Sequence, residues 1–282
     1  MNIRATAGST TLLVALAASL TACGGGQSGT GAVQANCKPA HTFSTLQKGT
    51  LTVATFVSPP YTQLAREGSD VGGVDGDIIQ RLAKTECLTI DAKPVAGAAL
   101  IGSMTSKKAD LAIGGIYRTA DRAKILSLSD TMYRDGMALL SKSGVSSLSD
   151  LQGKKVGVVQ GYLWNQDLQN ALGPDHVTVY QDSDSMISDL QAGRVDVAVL
   201  TSAEGAYRAK QLGGNVKAKQ MQPTPKVAAS TAPGQVVLAV QQDEKELTDA
   251  FNADLQKLIQ DGSVASILKN NGMDPSLAGS GS

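Results

Sequence analysis

Apolar and polar positions along the chain alternate between two periods. Residues 51–56 (LTVATF) are a run of β-formers, and Pro59 and Pro60 stop it because proline has no N–H for a ladder. After Gly73-Val74-Asp75-Gly76-Asp77, residues Ile78, Ile79, Leu82 and Ala83 recur at helical spacing. Asp75 and Asp77 then sit at the positive end of that helix, as first-turn charges. Residues 88–95 predict a second strand. Leu100, Ile101 and Met104 mark a second helix, and residues 111–113 a third, buried strand. The order βαβαβ argues for a parallel sheet with helices on its faces.

The same order then repeats. Residues 155–159 predict a strand, and Trp164, Leu168, Ala171 and Leu172 one face of a helix. Residues 176–180 and 194–200 predict two more strands. Between them lies a helix capped at Asp182-Ser183-Asp184, with Met186, Ile187 and Leu190 inward. Residues 146–154, polar and glycine-ended, suit a crossing between lobes, and residues 223–234 a return. Residues 235–240 predict a strand. Asp243-x-x-Glu246 reads as a capping box for a long helix with Leu247, Ala250, Phe251, Asp254, Leu255 and Leu258 on one mostly apolar face. A last helix covers 264–269, and 276–282 read as a frayed tail. The fold class is α/β with two lobes, each a mostly parallel sheet flanked by helices. Strand C-terminal ends meet at the cleft between them, where ligands bind in such folds.

One strand end concentrates the chemistry. After residues 111–113 come Gly114 and Gly115, then Thr119 as an N-cap, which puts Arg122 in the first turn of a helix. A cation at the positive end of a helix dipole is locally unfavourable. Either a bound anion holds Arg122 there, or a salt bridge to Asp121 or Asp130 does.

The chain begins with a weakly positive region and a short apolar run, residues 12–20, too short to span a bilayer. Leu20-Thr21-Ala22-Cys23 follows and resembles a bacterial lipobox. That resemblance implies a lipidated Cys23, with an ordinary secretory signal as the alternative. Residues 24–36 are rich in Gly and polar residues and read as a flexible tether. Export to the periplasm or an extracellular face, held at the membrane surface, is the expected location.

Lys plus Arg and Asp plus Glu are balanced at 25 each, which gives no reason to expect a nucleic-acid partner. Cys37 and Cys87 are the two cysteines beyond Cys23. In an oxidising compartment they favour a disulfide, with two unrelated buried thiols as the alternative. The two histidines, His41 and His176, are far apart, and no CxxC or HExxH occurs. No metal, cofactor or Cys/His catalysis is expected.

With these pieces in order, the sequence resembles bacterial extracellular solute-binding protein family 3, the polar amino acid type that serves ABC importers. The matching pieces are Gly49-Thr50-Leu51-Thr52-Val53, Pro59-Pro60-Tyr61 and Gly73-Val74-Asp75-Gly76-Asp77. Lys108-Ala109-Asp110-Leu111 runs on to Arg122, and Leu128-Ser129-Asp130 and Tyr133 follow. The second lobe adds Leu148-Ser149-Asp150-Leu151-Gln152-Gly153-Lys154-Lys155-Val156-Gly157 and Gly193-Arg194-Val195-Asp196. The resemblance implies a two-lobed type II periplasmic-binding fold that closes on its ligand by hinge motion. Its segments would be a signal at 1–22, an anchored extension at 23–46, lobe one at 47–143 plus 234–275, lobe two at 144–233, and a tail at 276–282. It implies a monomer whose partners are a small solute, a permease and the membrane through its lipid.

Carried over residue by residue, the carboxylate-binding Arg of the family falls on Arg122 and the aromatic after the prolines on Tyr61. The turn that contacts an amino-acid backbone falls on Gly115-Ile116-Tyr117, where Tyr117 replaces a usual Thr or Ser. The usual Gly-Thr of lobe two falls on Gly161-Tyr162. The Asp that pairs with an α-ammonium falls on Thr201, which carries no charge. Glu204 could supply that charge, although Thr201-Ser202-Ala203-Glu204 also fits a capping box. Of ten aromatic residues, Tyr61, Tyr117, Tyr162 and Trp164 fall at cleft-facing strand ends. They predict an aromatic-lined pocket, unless Tyr162 and Trp164 are helix-face core residues.

The expected function is capture of a small polar or carboxylate-bearing, amino-acid-like solute, without chemistry. The alternative is an exported dehydratase on the same fold, for which no cleft carboxylate with a partner base is evident. A surface sensor acting through a separate receptor is a third reading.

Overall fold

The computed structural model describes residues 36–64 and 71–279. The expected signal segment, Cys23 and the tether up to residue 35 lie outside the described residues, as do residues 280–282.

Two five-stranded sheets carry the two lobes. The first runs in the order Thr89–Pro94, Thr50–Thr55, Leu111–Ile113, Ala239–Gln241, Leu126–Leu128. Its first three strands are parallel, with Val53 opposite Leu111 and Thr55 opposite Ile113, and the other two each pair antiparallel with the strand before them in that order. The second runs Val177–Tyr180, Val156–Val159, Val197–Thr201, Met137–Ser141, Lys217–Gln220, with the same division. The βαβαβ halves are there as the periodicity indicates. Each sheet is mixed because chain arriving from the other lobe joins it antiparallel. Leu111–Ile113 and Val156–Val159 are buried throughout, as expected for strands covered on both faces.

The lobes are joined by a two-stranded ribbon, Tyr133–Asp135 against Gly234–Val236. This corrects the expected first crossing at 146–154 and the lobe boundary at 143. Met137–Ser141 already belongs to the second sheet, paired with Val197–Thr201, and Ser149–Leu151 is a 3-10 turn inside lobe two. Polarity misleads here. The true crossing strands are buried between lobes, with Tyr133 and Val236 fully covered, so they do not look like a linker. For the same reason the single strand expected at 235–240 is two, Gly234–Val236 and Ala239–Gln241.

The long helix Lys245–Gln260 buries Leu247, Ala250, Phe251 and Leu255 along one face. Large side chains of this kind contribute about 1.5–3 kcal/mol each when fully buried. The capping box expected at its start is absent. Glu244 is the N-cap without a side-chain bond, and Asp243 instead accepts from Lys107 Nζ at 3.3 Å.

Both ends of the described chain dock on lobe one. Cys37 and Cys87 form a disulfide with their Cα atoms 5.7 Å apart. Phe43 packs edge-on against Phe251 with ring centres 5.8 Å apart. The Leu46 N–H donates to Asp110 Oδ1 at 2.7 Å. At the other end Pro275–Leu277 is a 3-10 turn, and the Gly279 N–H donates to Met132 O at 2.9 Å. Residues 276–279 are therefore tied to the hinge strand rather than frayed. Among the described residues no helix is long and apolar enough to cross a membrane.

Candidate functional site

Arg122, Tyr117, Gly115, Tyr61, Tyr162, Thr201 and Trp164 line one cavity of about 40 Å³ between the lobes, together with Ser58, Gly114, Gly161 and Leu163. The space accommodates a few water molecules. The lobes touch across it, since a Cβ on Gly97 would lie 3.5 Å from the Gln160 carbonyl oxygen and Tyr61 Oη lies 2.5 Å from Thr201 Oγ1.

From lobe one, Thr119 caps the helix as expected, accepting from the Arg122 N–H at 3.1 Å. The helix is one turn, Ala120–Ala123, so its dipole is slight and the guanidinium itself is the anion-attracting group. Arg122 Nη1 donates to Tyr117 O at 2.5 Å. The salt-bridge alternative does not form. Asp121 pairs with Lys124 at 2.7 Å, and Asp130 accepts from Gln256 at 3.0 Å. Among the described residues Arg122 has no carboxylate partner, and burial lowers its pKa. A half-buried cation with no carboxylate partner is a group that a bound anion would stabilise.

Gly114 and Gly115 are held from below. Asp75 Oδ2 accepts both of their N–H groups, at 3.0 and 2.8 Å, and its Oδ1 accepts from Tyr133 Oη at 2.5 Å. Asp75 is buried, and burial raises its pKa against those hydrogen bonds. It is a positioning group for the turn, which goes beyond the first-turn charge read from the sequence. Gly115 has φ +66° and lies against the Tyr61 ring, where a Cβ would meet Cδ2 at 3.0 Å. A side chain there would strain the backbone and press on the cavity wall. Asp77 lies further along the helix and accepts from Asn271 at 3.0 Å.

Tyr61 stacks on Tyr133, 6.2 Å between ring centres, and donates to Asp135 Oδ2. Tyr117 donates to Gly136 O at 3.0 Å and lies flat on Gly234, where any Cβ would strike its ring. Asp135, on the hinge ribbon, also accepts from the N–H groups of Gly136 at 2.8 Å and Ala203 at 3.4 Å. Burial raises its pKa to about 6, despite the hydrogen bonds from Tyr61 and the backbone. Asp135 was not singled out in the sequence. No local motif marks it, because its partners come from both lobes.

From lobe two, Trp164 is the N-cap of helix Asn165–Leu172; it is fully buried in the hydrophobic core, as the core reading expected, and also lines the cavity. It packs edge-on to Tyr162 at 5.0 Å, and its Nε1 is buried without a hydrogen-bond partner among the described residues. Tyr162 donates to Glu204 Oε2 at 2.8 Å. Half of the capping box at Thr201 forms, since the Glu204 N–H donates to Thr201 Oγ1 at 3.3 Å. The Glu204 carboxylate turns away from the cap to Tyr162, and its Oε1 lies 3.7 Å from Arg208 Nη2. Burial raises the pKa of Glu204 as well. The wall therefore offers hydroxyls and one guanidinium, with two carboxylates immediately behind Tyr61, Thr201 and Tyr162.

Two α/β lobes on a ribbon hinge, closing over a cavity built from both, define a solute-binding protein of the periplasmic type. The chain belongs to the bacterial extracellular solute-binding proteins, family 3, which it matches over residues 51–148 and 149–273. It is 28% identical over 212 residues to the arginine-binding extracellular protein of Bacillus subtilis, covering 72% of this chain and 79% of that one. It is 31% identical over 186 residues to the lysine/arginine/ornithine-binding periplasmic protein of Escherichia coli, covering 61% and 67%. A solved ancestral arginine-binding protein bound to glutamine superposes with TM-score 0.71 at 28% identity, over 80% of this chain and 99% of that one. The family is one of binding proteins, which removes the support for the dehydratase alternative.

Proposed function

We propose that this protein captures a small carboxylate-bearing, amino-acid-like solute in the interlobe cleft and delivers it to the permease of an ABC importer. The observation that carries the reading is Arg122, a cation in the cavity wall without a carboxylate partner among the described residues. Trp164 Nε1, a buried and unpartnered donor in the same wall, supports it. A carboxylate accepts from both kinds of donor. The relatives bind arginine, or lysine, arginine and ornithine. Here the wall position expected to hold an α-ammonium is Thr201, and Tyr61, Tyr117, Tyr162 and Trp164 fill the cleft. These features favour a compact or ring-bearing acid over a long basic one.

Thermal unfolding with amino acids, betaines, aromatic acids and polyamines tests this. A carboxylate ligand present at a hundredfold excess over Kd stabilises by about 2.7 kcal/mol. Stabilisation by polyamines alone, with every carboxylate inert, overturns the reading.

Cys23 is the lipid anchor in this proposal, holding a monomeric body at the outer face of the membrane through the tether. Cys23→Ala then moves the protein from the membrane fraction to the soluble exported fraction. An unchanged distribution on fractionation rules the anchor out.

A further inference from the structure

We propose that His41, Glu86 and Asp254 form a divalent-metal site of the zinc class on lobe one. One donor atom from each side chain lies within 4.8 Å of the others. Glu86 and Asp254 are buried, and the His41 side chain is 31% exposed. The three come from the docked N-terminal segment, the end of helix Gly73–Thr85 and the middle of helix Lys245–Gln260. The spacing of the two histidines in the sequence hid this arrangement.

The cluster gathers two buried carboxylates around one imidazole. Glu86 is the C-cap residue of its helix, where the partial negative charge of the helix end disfavours a carboxylate. Asp254 faces it. Its Oδ1 accepts from Lys257 Nζ at 2.9 Å, from a side chain that is 63% exposed. Its Oδ2 is buried without a hydrogen-bond partner among the described residues and lies 3.8 Å from His41 Nδ1. An unpartnered buried carboxylate oxygen aimed at an imidazole nitrogen is costly unless a positive charge, an imidazolium or a metal ion, stands beside it.

The donor set is one imidazole nitrogen and two carboxylate oxygens. Three protein ligands plus water is an open tetrahedral zinc arrangement. Bonds of about 2.0–2.1 Å place such donors about 3.3 Å apart. That falls between the 2.6 Å from His41 Nδ1 to Glu86 Oε1 and the 3.8 Å to Asp254 Oδ2. The Glu86 and Asp254 donor atoms lie within 4.8 Å of each other, so these two side chains close by up to about 1.5 Å to reach it. The His41 N–H already orients the Glu86 carboxylate by donating to Oε2 at 3.0 Å. On binding, the metal takes the place of the proton shared by His41 Nδ1 and Glu86 Oε1, which goes to water.

Helix Gly73–Thr85 starts beside the cleft and is 13 residues long, so the metal site lies about 20 Å from the solute. Its effect is to bind the segment from Cys37 to Phe43 to lobe one, alongside the disulfide. It does not depend on the identity of the solute.

The test uses the purified exported chain, stripped with chelator and titrated with zinc chloride. Bound metal is counted by mass spectrometry after dialysis and melting temperature is followed in parallel. Wild type is expected to hold one zinc ion per chain and to melt at a higher temperature with it, reversibly with chelator. His41→Gln is expected to weaken binding by about tenfold or more. Asp254→Asn is expected to do the same, while His176→Gln and Arg122→Ala leave it intact. No bound zinc, or equal binding by wild type and His41→Gln, overturns the proposal. Loss in His176→Gln with retention in His41→Gln also overturns it.

Discussion

Arg122→Ala is expected to abolish binding of any carboxylate solute while leaving the ligand-free protein nearly as stable as before. The two halves of that outcome have one cause. Arg122 sits half-buried in the cavity wall, donates to Tyr117 O and has no carboxylate partner among the described residues. In the ligand-free protein its desolvation is offset by little more than that hydrogen bond, worth about 1 kcal/mol. With a carboxylate bound, the guanidinium makes a charge-assisted contact in a water-poor cleft. Losing one partner of such a contact costs about 3 kcal/mol, roughly a hundredfold in Kd. Arg122→Lys keeps the charge but not the planar fork, so it restores binding only in part. Calorimetric titration measures the affinity, and unfolding without ligand measures the stability. A large loss of ligand-free stability in Arg122→Ala would assign the residue to the fold instead of the site. Wild-type affinity would remove it from the site altogether.

The stability of the protein is expected to fall as pH rises from about 4 to about 6, and Asp135→Asn is expected to flatten that slope. Burial raises Asp135 to about 6 in the folded protein, against an ordinary value near 4 in the unfolded chain. Between those values the folded state binds more protons than the unfolded state, so stability decreases with pH. The full contribution of the neutral carboxyl is present below about pH 4 and is lost above about pH 6. Its size is about 3 kcal/mol, from roughly two pH units at 1.36 kcal/mol each. Asp75, Asp110 and Glu204, also raised by burial, act in the same direction, while Asp150, Asp189, Asp261 and Asp274, held low by hydrogen bonds, act against it. The difference between wild type and Asp135→Asn therefore isolates Asp135. An amide retains an acceptor for Tyr61 and has no titration. Urea unfolding across pH 4 to 7.5 reads both curves, and parallel curves would show that Asp135 does not carry the effect. The consequence is local to the hinge, because Asp135 bonds Tyr61 of one lobe and Ala203 of the other.

Much of the cavity wall was legible in the sequence because strand ends are local signals. Glycines after an apolar run, a proline pair and a Thr three residues before an Arg each announce themselves within a few positions. Tyr61, Tyr117, Tyr162 and Trp164 could be placed at strand ends in that way, and the fold brings all four to one cavity. The layer behind them was not legible. Tyr61 and Asp135 are separated by 74 positions, and Tyr162 and Glu204 by 42. The capping boxes fail, wholly at Asp243 and by half at Thr201, for a related reason. Asp243 finds Lys107 and Glu204 finds Tyr162, because a long-range partner outcompetes a weak local one.

By itself the sequence determined the two βαβαβ halves, the pairing of Cys37 with Cys87 as the favoured option, and Arg122 as the residue to watch. These rest on periodicity and on spacing along the chain, which short-range sterics and burial translate directly into structure. Only the tertiary structure decided where the chain crosses between lobes, which acids stand behind the cavity wall, and that His41 meets Glu86 and Asp254. Each of those depends on which distant charges and hydroxyls are buried together. Burial is a property of the folded whole, and it makes an unpaired charge costly enough to select its partner from anywhere in the chain.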